Sequence, residues 1–183
     1  MPAINSPKVF TAGAGLTFKK SGGGRGPGGE KIEHRIGVQA PARVVWEVLA
    51  DLDAWSEWNP LYTRVEGKLA IGGTLVVTLQ LPDESPETIR PVITDWTPDS
   101  LLHWKLTLAG GLVRSVRYLE IDELAEESCI FANGEIMGGL LGRYVARRMG
   151  RKMYRGFAAM GEALKVRAEA RWRAQGGNPT SAS

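Results

Sequence analysis

The 183-residue chain is poor in the residue types that disulfides and metal sites need, with one cysteine and two histidines. The single cysteine, Cys129, excludes an intrachain disulfide, and a reducing, cytoplasmic location fits this composition best. The two histidines, His34 and His103, fall on separate predicted strands. Such scattered residues are poor material for a metal site, so we expect no metal cofactor.

The sequence also lacks long apolar runs and the short motifs of several enzyme classes. No stretch approaches the roughly 20 consecutive apolar residues that a membrane-spanning helix requires. Glycines and the Lys19-Lys20 pair interrupt any apolar segment of a signal peptide near the N-terminus. There is no Gly-x-Ser-x-Gly elbow, His-Glu-x-x-His motif, Cys-x-x-Cys pair or dinucleotide fingerprint. We therefore expect no nucleotide cofactor.

Composition divides the chain into an extension, one domain and a tail. Residues 21–29 are rich in glycine, which is typical of a flexible linker, and they lack the Gly-Lys-Ser/Thr ending of a phosphate loop. We predict that residues 1–30 form a flexible extension, that residues 31–173 form one ligand-binding domain and that residues 174–183 are disordered.

Alternation of apolar and polar residues predicts seven strands in the domain, most of them joined by short turns. The predicted strands are residues 31–39, 63–69, 74–81, 88–96, 101–108, 113–121 and 128–137. Pro41 starts an amphipathic helix, a short aromatic-rich turn follows, and a long helix closes the domain. This order predicts an α+β fold in which a curved antiparallel sheet wraps around the C-terminal helix, with two short helices after the first strand.

The predicted C-terminal helix combines an apolar stripe with several glycines. The stripe consists of Leu141, Val145, Met149, Met153, Phe157, Met160 and Leu164. Each interior glycine costs a helix about 1 kcal/mol, a cost that tertiary contacts must offset. Small residues and flexible methionines on the packed face suggest adaptable space beneath the helix. We therefore expect a cavity between sheet and helix.

Six short motifs, in this order and spacing, carry a resemblance that covers about residues 31–170. They are Pro41-x4-Trp46-x3-Ala50-Asp51, Trp58-Asn59-Pro60, Arg90-Pro91-Val92-Ile93, Leu102-His103-Trp104, Gly134-Glu135-Ile136-Met137-Gly138 and Gly156-Phe157-x2-Met160-x3-Leu164-Lys165. The chain resembles the SRPBCC superfamily of START-like, helix-grip proteins, and within it the polyketide cyclase/dehydrase and lipid-transport branch.

The resemblance implies a deep apolar pocket between the sheet and the long helix, holding a lipid, a quinone or an aromatic polyketide-like molecule. It transfers no catalytic set, because active residues differ among members. Relatives often carry a histidine just before an Arg-aromatic pair on the sixth strand. Here Val116 precedes Arg117-Tyr118, which puts a proton-transfer role at that position in doubt.

Two residues are candidates for acid–base chemistry, Glu135 and Tyr118. Glu135 lies in a strand of otherwise apolar or small residues, so facing the pocket would raise its pKa by desolvation. The alternative is that Glu135 faces outward or pairs with Arg117 or Arg90. Tyr118 either donates a hydrogen bond to a ligand oxygen or packs in the core.

Candidate ligand-binding residues surround the expected cavity. They are Trp58, Asn59, Tyr62, Trp96, Trp104, Met149, Met153 and Phe157. Trp58 and Asn59 lie near the expected mouth, where an aromatic side chain and an amide could hold a ligand head group. A pure turn role for Asn59-Pro60 remains an equal alternative. We interpret His34 as a core histidine and His103 as a surface one.

Charge is distributed unevenly, because residues 139–183 carry ten Lys/Arg and two acids, a net charge of +8. The basic helix face (Arg143, Arg147, Arg151 and Arg155) is either a solvated face or a site of transient contact with an anionic membrane. It lacks the interleaved aromatics of nucleic-acid binders, so we expect no nucleic-acid partner.

Three functions stay open at this point. The first is binding or carriage of a small hydrophobic ligand by a cytoplasmic monomer or homodimer. The second is a cyclase- or dehydratase-like enzyme that uses Glu135 or Tyr118. The third is a membrane-surface or protein-interaction module based on the basic helix.

Overall fold

The computed structural model describes residues 9–12, 16–19 and 29–177. Strands β1 (Val9–Ala12) and β2 (Leu16–Lys19) pair as an antiparallel hairpin within the predicted extension. Most of the predicted linker and residues 178–183 lie outside the described residues. The flexibility of the linker and of the tail therefore stays a prediction.

The domain is built on a five-stranded antiparallel sheet with the order β3-β10-β9-β8-β7. Its strands are β3 (Gly29–Val38), β7 (Val92–Thr97), β8 (Leu101–Leu108), β9 (Val113–Ala125) and β10 (Ser128–Gly138). Neighbours β7 to β10 follow one another along the chain, as the predicted meander requires, and β3 closes the sheet beside β10.

A smaller three-stranded sheet contains β4 (Tyr62–Glu66), β5 (Val76–Leu79) and β6 (Glu87–Ile89) in that order. One isolated bridge, between Thr74 and Val92, connects it to the five-stranded sheet. The predicted strand 88–96 is divided into β6 and β7 at Arg90-Pro91, because proline has no N–H to donate to a ladder. Residues 29–177 therefore form eight strands where the sequence predicts seven.

The helices follow the predicted order. Helix α1 (Ala42–Ala50), a 3-10 turn (Leu52–Ala54) and α2 (Trp55–Trp58) follow β3, and α3 (Gly142–Ala174) closes the domain. The helix-grip fold is thereby confirmed. Among the described residues, no helix is both long enough and apolar enough to cross a bilayer.

Helix α3 packs on the inner face of the sheet, and two of its glycines allow a close approach. A Cβ atom on Gly161 would lie 3.0 Å from His34 Nδ1, and one on Gly156 would lie 2.8 Å from Leu61 Cδ1. At these two positions glycine therefore serves close packing and does not leave spare space under the helix. Met160, Phe157 and Leu164 are buried in the same interface.

Candidate functional site

The strand register places a polar cluster on the inner face of the sheet, under α3. Glu135 on β10 lies opposite Arg117 on β9, and Asn133 lies opposite His34 on β3. Directly opposite residues on antiparallel strands share one face. Arg117 contacts Met160 of α3, which identifies this face as the inner one.

Arg117 is the centre of the cluster and is only 1% exposed. A guanidinium has five N–H donors, and each of those on Arg117 has an acceptor. The acceptors are the hydroxyl of Tyr62 for Nε (2.9 Å), the carbonyl oxygens of Tyr118 (3.2 Å) and Gly134 (2.7 Å) for Nη1, and Asn133 Oδ1 and Met160 Sδ (3.9 Å) for Nη2. Asn133 is oriented in turn by donating from Nδ2 to the Phe157 carbonyl oxygen at 2.8 Å.

The buried guanidinium is held by neutral groups. Within residues 29–177 no carboxylate oxygen lies within 4.0 Å of Arg117. The Phe157 ring lies 4.1 Å from the guanidinium carbon and adds a cation–π contact. The result is a fixed positive charge in a water-poor interior, where it acts strongly on neighbouring groups.

Glu135 lies across the ladder from Arg117 and is half-buried. Burial raises the pKa of its carboxyl above the ordinary value near 4.5, although the positive charge of Arg117 and a hydrogen bond from Ser115 oppose the rise. The carboxyl therefore keeps its proton to a higher pH than an exposed glutamate does. Such a group can donate a hydrogen bond or transfer a proton.

Tyr62 provides a second polar group to the cluster. Its ring is buried between Trp55 and Trp104, at centroid distances of 5.7 and 5.6 Å. Because its oxygen accepts from Arg117 Nε, its own hydrogen can point to a ligand oxygen. Burial raises the pKa of the Tyr62 hydroxyl, so it stays a neutral donor.

Asn59 serves the turn that positions Tyr62. Its buried side-chain Oδ1 accepts hydrogen bonds from the backbone N–H groups of Leu61 and Tyr62, both at 3.0 Å. This is the turn role that the sequence left open as an alternative. Trp58 lies away from the Arg117 cluster, in a shallow surface groove of about 440 Å³ beside the C-terminal half of α3.

Tyr118, the other acid–base candidate, lies on the opposite face of the sheet from Glu135. Its hydroxyl donates to Glu33 Oε2 at 2.7 Å, and its ring meets His103 edge to face. Burial and the hydrogen bond to Glu33 raise the pKa of the Tyr118 hydroxyl. The structure therefore places Glu135 on the same face as Arg117, which binds Tyr62, and it places Tyr118 on the other face.

The remaining candidates fall into two groups. Trp104, Met153 and Phe157 are buried in the core between sheet and helix, and Met149 is half-buried on the same side of α3. Trp96 lies apart from them, stacked on Trp46 of α1 with ring centroids 6.1 Å apart.

Part of the inner face is half-buried towards the start of α3, beside the buried Ser115 and Met137. Four apolar residues at this end are half-buried, namely Ile32, Leu106, Val145 and Met149, and Glu135 lies among them. Deeper residues such as Leu119 and Phe131 are fully buried. Two shallow surface pockets, one lined by β4, β5 and β6 and one lined by Trp58 and the C-terminal half of α3, both lie outside the space between the sheet and α3. The buried side chains of Leu119, Phe131 and Phe157 occupy the deeper part of this space, so a ligand there has to displace side chains.

Arg117 and Asn133 are the site residues that the sequence analysis did not select for themselves. The alternation of β9 could have identified Arg117, because every second residue of a strand points to the same face. Leu119 and Ile121, two and four residues after Arg117, are buried on the inner face. The described residues include no group of three His, Cys, Asp or Glu side chains placed to hold a metal ion.

Comparison with known proteins identifies both a family and a fold. Residues 30–169 match the family described as polyketide cyclase/dehydrase and lipid transport. Among curated proteins none matches the chain.

Solved structures share the fold at low identity. The Zhui aromatase/cyclase from Streptomyces sp. R1128 is 21% identical with a TM-score of 0.67, covering 82% of this chain and 99% of its own. Norcoclaurine synthase from Thalictrum flavum is 17% identical with a TM-score of 0.59, covering 78% of this chain and 96% of its own.

The di-domain aromatase/cyclase StfQ from the steffimycin biosynthetic pathway is 16% identical with a TM-score of 0.64. The match covers 79% of this chain but only 52% of StfQ, so this chain corresponds to about half of that protein. At these identities the three structures show a common fold and no more.

Proposed function

Because the chain belongs to the polyketide cyclase/dehydrase and lipid transport family, we propose that it binds a small hydrophobic ligand between the sheet and α3. Membership of the family supports a hydrophobic ligand-binding or cyclase role. The observation that carries the proposal is Glu135, a carboxyl with a raised pKa on the inner face, at the end where that face is half-buried.

The ligand that fits this arrangement is largely apolar with one carbonyl or hydroxyl group. Its apolar part would lie against Met149, Met153 and Phe157, and its oxygen would face Glu135 and the Tyr62 hydroxyl. Methionine side chains have several rotatable bonds and adapt to a ligand at low cost. A lipid, a quinone and an aromatic polyketide-like molecule all have this character.

Native mass spectrometry of the purified full-length protein tests the proposal. A defined extra mass, recovered by solvent extraction as an apolar compound, is the expected result. Replacing Glu135 by Leu removes the polar group, and we expect occupancy to fall roughly fivefold, the value of one lost hydrogen bond. Glu126→Leu, in the exposed β9–β10 turn, is the matched control.

Two results would count against ligand binding at this place. One is a protein that is empty and also fails to bind 1-naphthol, an apolar aromatic with one hydroxyl. The other is equal occupancy in the Glu135→Leu and Glu126→Leu variants.

The second candidate function is cyclase- or dehydratase-like catalysis. The raised pKa of Glu135 favours it, because a carboxyl that keeps its proton nearer to neutral pH is a better general acid. In this proposal Glu135 transfers the proton and the Tyr62 hydroxyl polarises a ligand carbonyl, because Tyr118 faces away.

The extracted compound, or its chemical class, serves as the substrate in the catalytic test. We expect Glu135→Gln to retain binding and to lose about a hundredfold or more in turnover, the usual contribution of a general acid–base group. Equal turnover in wild type and Glu135→Gln would exclude Glu135 chemistry and leave the binding function.

A further inference from the structure

Exposed apolar side chains cluster at one end of the domain, on two turns and the start of α3. This leucine edge consists of Leu108, Leu112, Leu140, Leu141 and Tyr144. Leu140 is 83% exposed, Tyr144 65% and Leu112 43%. Large apolar side chains this exposed at adjacent positions indicate an interaction surface.

The two turns of the leucine edge are held together by their backbones. The N–H of Leu141 donates to the carbonyl oxygen of Leu112 at 2.9 Å. Gly139, at φ 85°, allows this approach, because a Cβ there would lie 2.6 Å from the same oxygen. The edge is therefore a defined surface whose geometry does not depend on a partner.

Positive charge continues directly from the leucine edge along α3. Arg147, Arg148 and Arg151 follow Tyr144 at helical spacing on the exposed face, and we call them the arginine stripe. Within residues 29–177 no carboxylate lies within 4.0 Å of these three side chains.

Other arginines of the same helix have acidic partners. Arg155 pairs with Asp83 at 3.0 Å, and Arg171 pairs with Glu47 at 2.9 Å. Arg167 likewise pairs with Glu57 at 2.6 Å. Among the arginines of α3, within the described part of the chain, only the arginine stripe and Arg173 near the C-terminal end have no carboxylate within 4.0 Å, and of these only the stripe adjoins the leucine edge.

We propose that the leucine edge and the arginine stripe together dock the protein on an anionic lipid bilayer. Exposed leucines insert at the boundary of head groups and acyl chains, and arginines bind lipid phosphates. Charge complementarity selects anionic lipid, and the leucines select a surface that also offers an apolar layer. A nucleic acid provides the charge but no place to bury leucines.

The docking surface lies at the end of the domain where the inner face is half-buried. Leu106 on β8 precedes Leu108 by two residues, and Val145 on α3 follows Tyr144. An apolar ligand could pass between bilayer and domain at this end without crossing water. That connection rests on the proposed function, whereas the docking itself does not.

Flotation of the full-length protein with vesicles tests the docking. We compare phosphatidylcholine vesicles containing 30% phosphatidylserine, about a third anionic lipid, with pure phosphatidylcholine vesicles. We expect binding to the anionic vesicles that weakens with salt. Leu140→Asp should reduce the partition coefficient roughly tenfold or more. Ile71→Asp changes an apolar residue in the β4–β5 loop that is 68% exposed, and it should have no effect.

The charge contribution has its own matched pair of variants. Replacing Arg147, Arg148 and Arg151 by Gln removes three charges from the stripe, and we expect a loss of about a hundredfold, since each contributes about fivefold. Replacing Arg155, Arg167 and Arg171 by Gln removes the same charge from elsewhere on α3 and should cost far less. Circular dichroism establishes that each variant is folded.

Three results would overturn the docking. They are no binding to anionic vesicles, equal losses in the two triple variants, or equal binding by Leu140→Asp and Ile71→Asp. A dimer that Leu140→Asp disrupts, with vesicle binding unchanged, would assign the edge to a second copy of the chain. Vesicle binding by a protein that is empty and also fails to bind 1-naphthol would retain the docking and reject the proposed function alone.

Discussion

The two faces of the five-stranded sheet both carry polar side chains, but these side chains have different kinds of hydrogen-bond partner on each face. On the outer face, Glu33 accepts a hydrogen bond from Tyr118 at 2.7 Å, and His103 meets Glu120 at 3.0 Å. On the inner face, Arg117 makes all its hydrogen bonds to neutral groups. The outer groups form acid–base and hydroxyl–acid pairs at the edge of solvent, and the inner ones form a buried network.

This difference shows in the two glutamates. Partial burial acts to raise the pKa of Glu33, but hydrogen bonds from Lys31 and Tyr118 and the positive charges of Lys31 and Arg35 outweigh it and hold that pKa below the ordinary value. Burial raises the pKa of Glu135 in spite of Arg117. The same residue type is thus an anion on one face and a proton-retaining acid on the other, because only the inner face is covered by α3.

The largest expected contrast between the faces concerns arginine. Arg117→Met leaves the Tyr62 hydroxyl and Asn133 Oδ1 without their donor in a buried place, and we expect a loss of about 3 to 5 kcal/mol in the free energy of unfolding. Arg114→Met changes an exposed arginine of the same strand and should cost less than about 0.5 kcal/mol. Urea unfolding measures both.

Similar losses in the Arg117→Met and Arg114→Met variants would break the comparison between the faces. Arg117→Lys sharpens it, because lysine keeps the positive charge but has only three donors in another geometry. We expect Arg117→Lys to lose most of the same stability, which would assign the effect to the hydrogen bonds and not to the charge alone.

A smaller effect is expected from packing on the outer face. The Tyr118 ring covers Gly134, and a Cβ there would lie 2.1 Å from the Tyr118 hydroxyl oxygen and 2.9 Å from the Ile32 carbonyl oxygen. Gly134→Ala should therefore destabilise by about 2 kcal/mol, the usual cost of overpacking. Gly37→Ala, on the outer face of β3 with nothing within 4 Å of its Cβ, should be neutral or slightly stabilising.

Thermal unfolding compares the two alanine variants. Equal melting temperatures for Gly134→Ala and Gly37→Ala would mean that Tyr118 moves freely and that the outer face is not packed. Such a result would also release the hydroxyl of Tyr118 from Glu33, because the ring could not shift and keep that hydrogen bond.

The smallest expected effect is a dependence on pH. Since the folded-state pKa of Glu135 is above its unfolded value, the folded chain binds this proton more tightly, and stability falls as pH rises above the ordinary carboxyl range. Gln does not titrate, so the stability of Glu135→Gln relative to wild type should increase with pH. Glu120→Gln, on the outer face of β9, should change stability by less than about 0.5 kcal/mol.

Urea unfolding of wild type and Glu135→Gln at several pH values between 4 and 8, a range that starts near the ordinary carboxyl pKa, measures this difference. A constant difference across that range would show that the Glu135 carboxyl titrates alike in the folded and unfolded chains. The inner and outer glutamates would then not differ in the way that the structure indicates.

The sequence predicted much of this molecule because its local patterns agree with the fold. Alternation placed the strands, Pro41 marked the start of α1, and the apolar stripe with its glycines marked α3. The division of strand 88–96 at Arg90-Pro91 was missed. Alternation predicts a continuous strand, but one proline without a backbone N–H is enough to interrupt the ladder.

The candidate site could be predicted only in part. Alternation along a strand assigns its residues to two faces of the sheet, but it does not show which face a helix covers. Glu135 was selected from its apolar strand, while Arg117 lies opposite it on the preceding strand and Tyr62 comes from β4, far away in sequence. Tyr118 is a tyrosine like Tyr62 and also lies within a strand, yet its side chain is on the outer face of the sheet.

By itself, the sequence determined the order of the elements, the helix-grip fold and the residue types available to a site, because these depend on local periodicity and backbone chemistry. Tertiary structure alone decided that Arg117 binds Tyr62 opposite Glu135, and that the leucine edge adjoins the arginine stripe. The hydrogen bond from Arg117 to Tyr62 joins residues 55 positions apart. The physical basis of the site is the register of β9 and β10, the packing of β4 against this face and the covering of the face by α3.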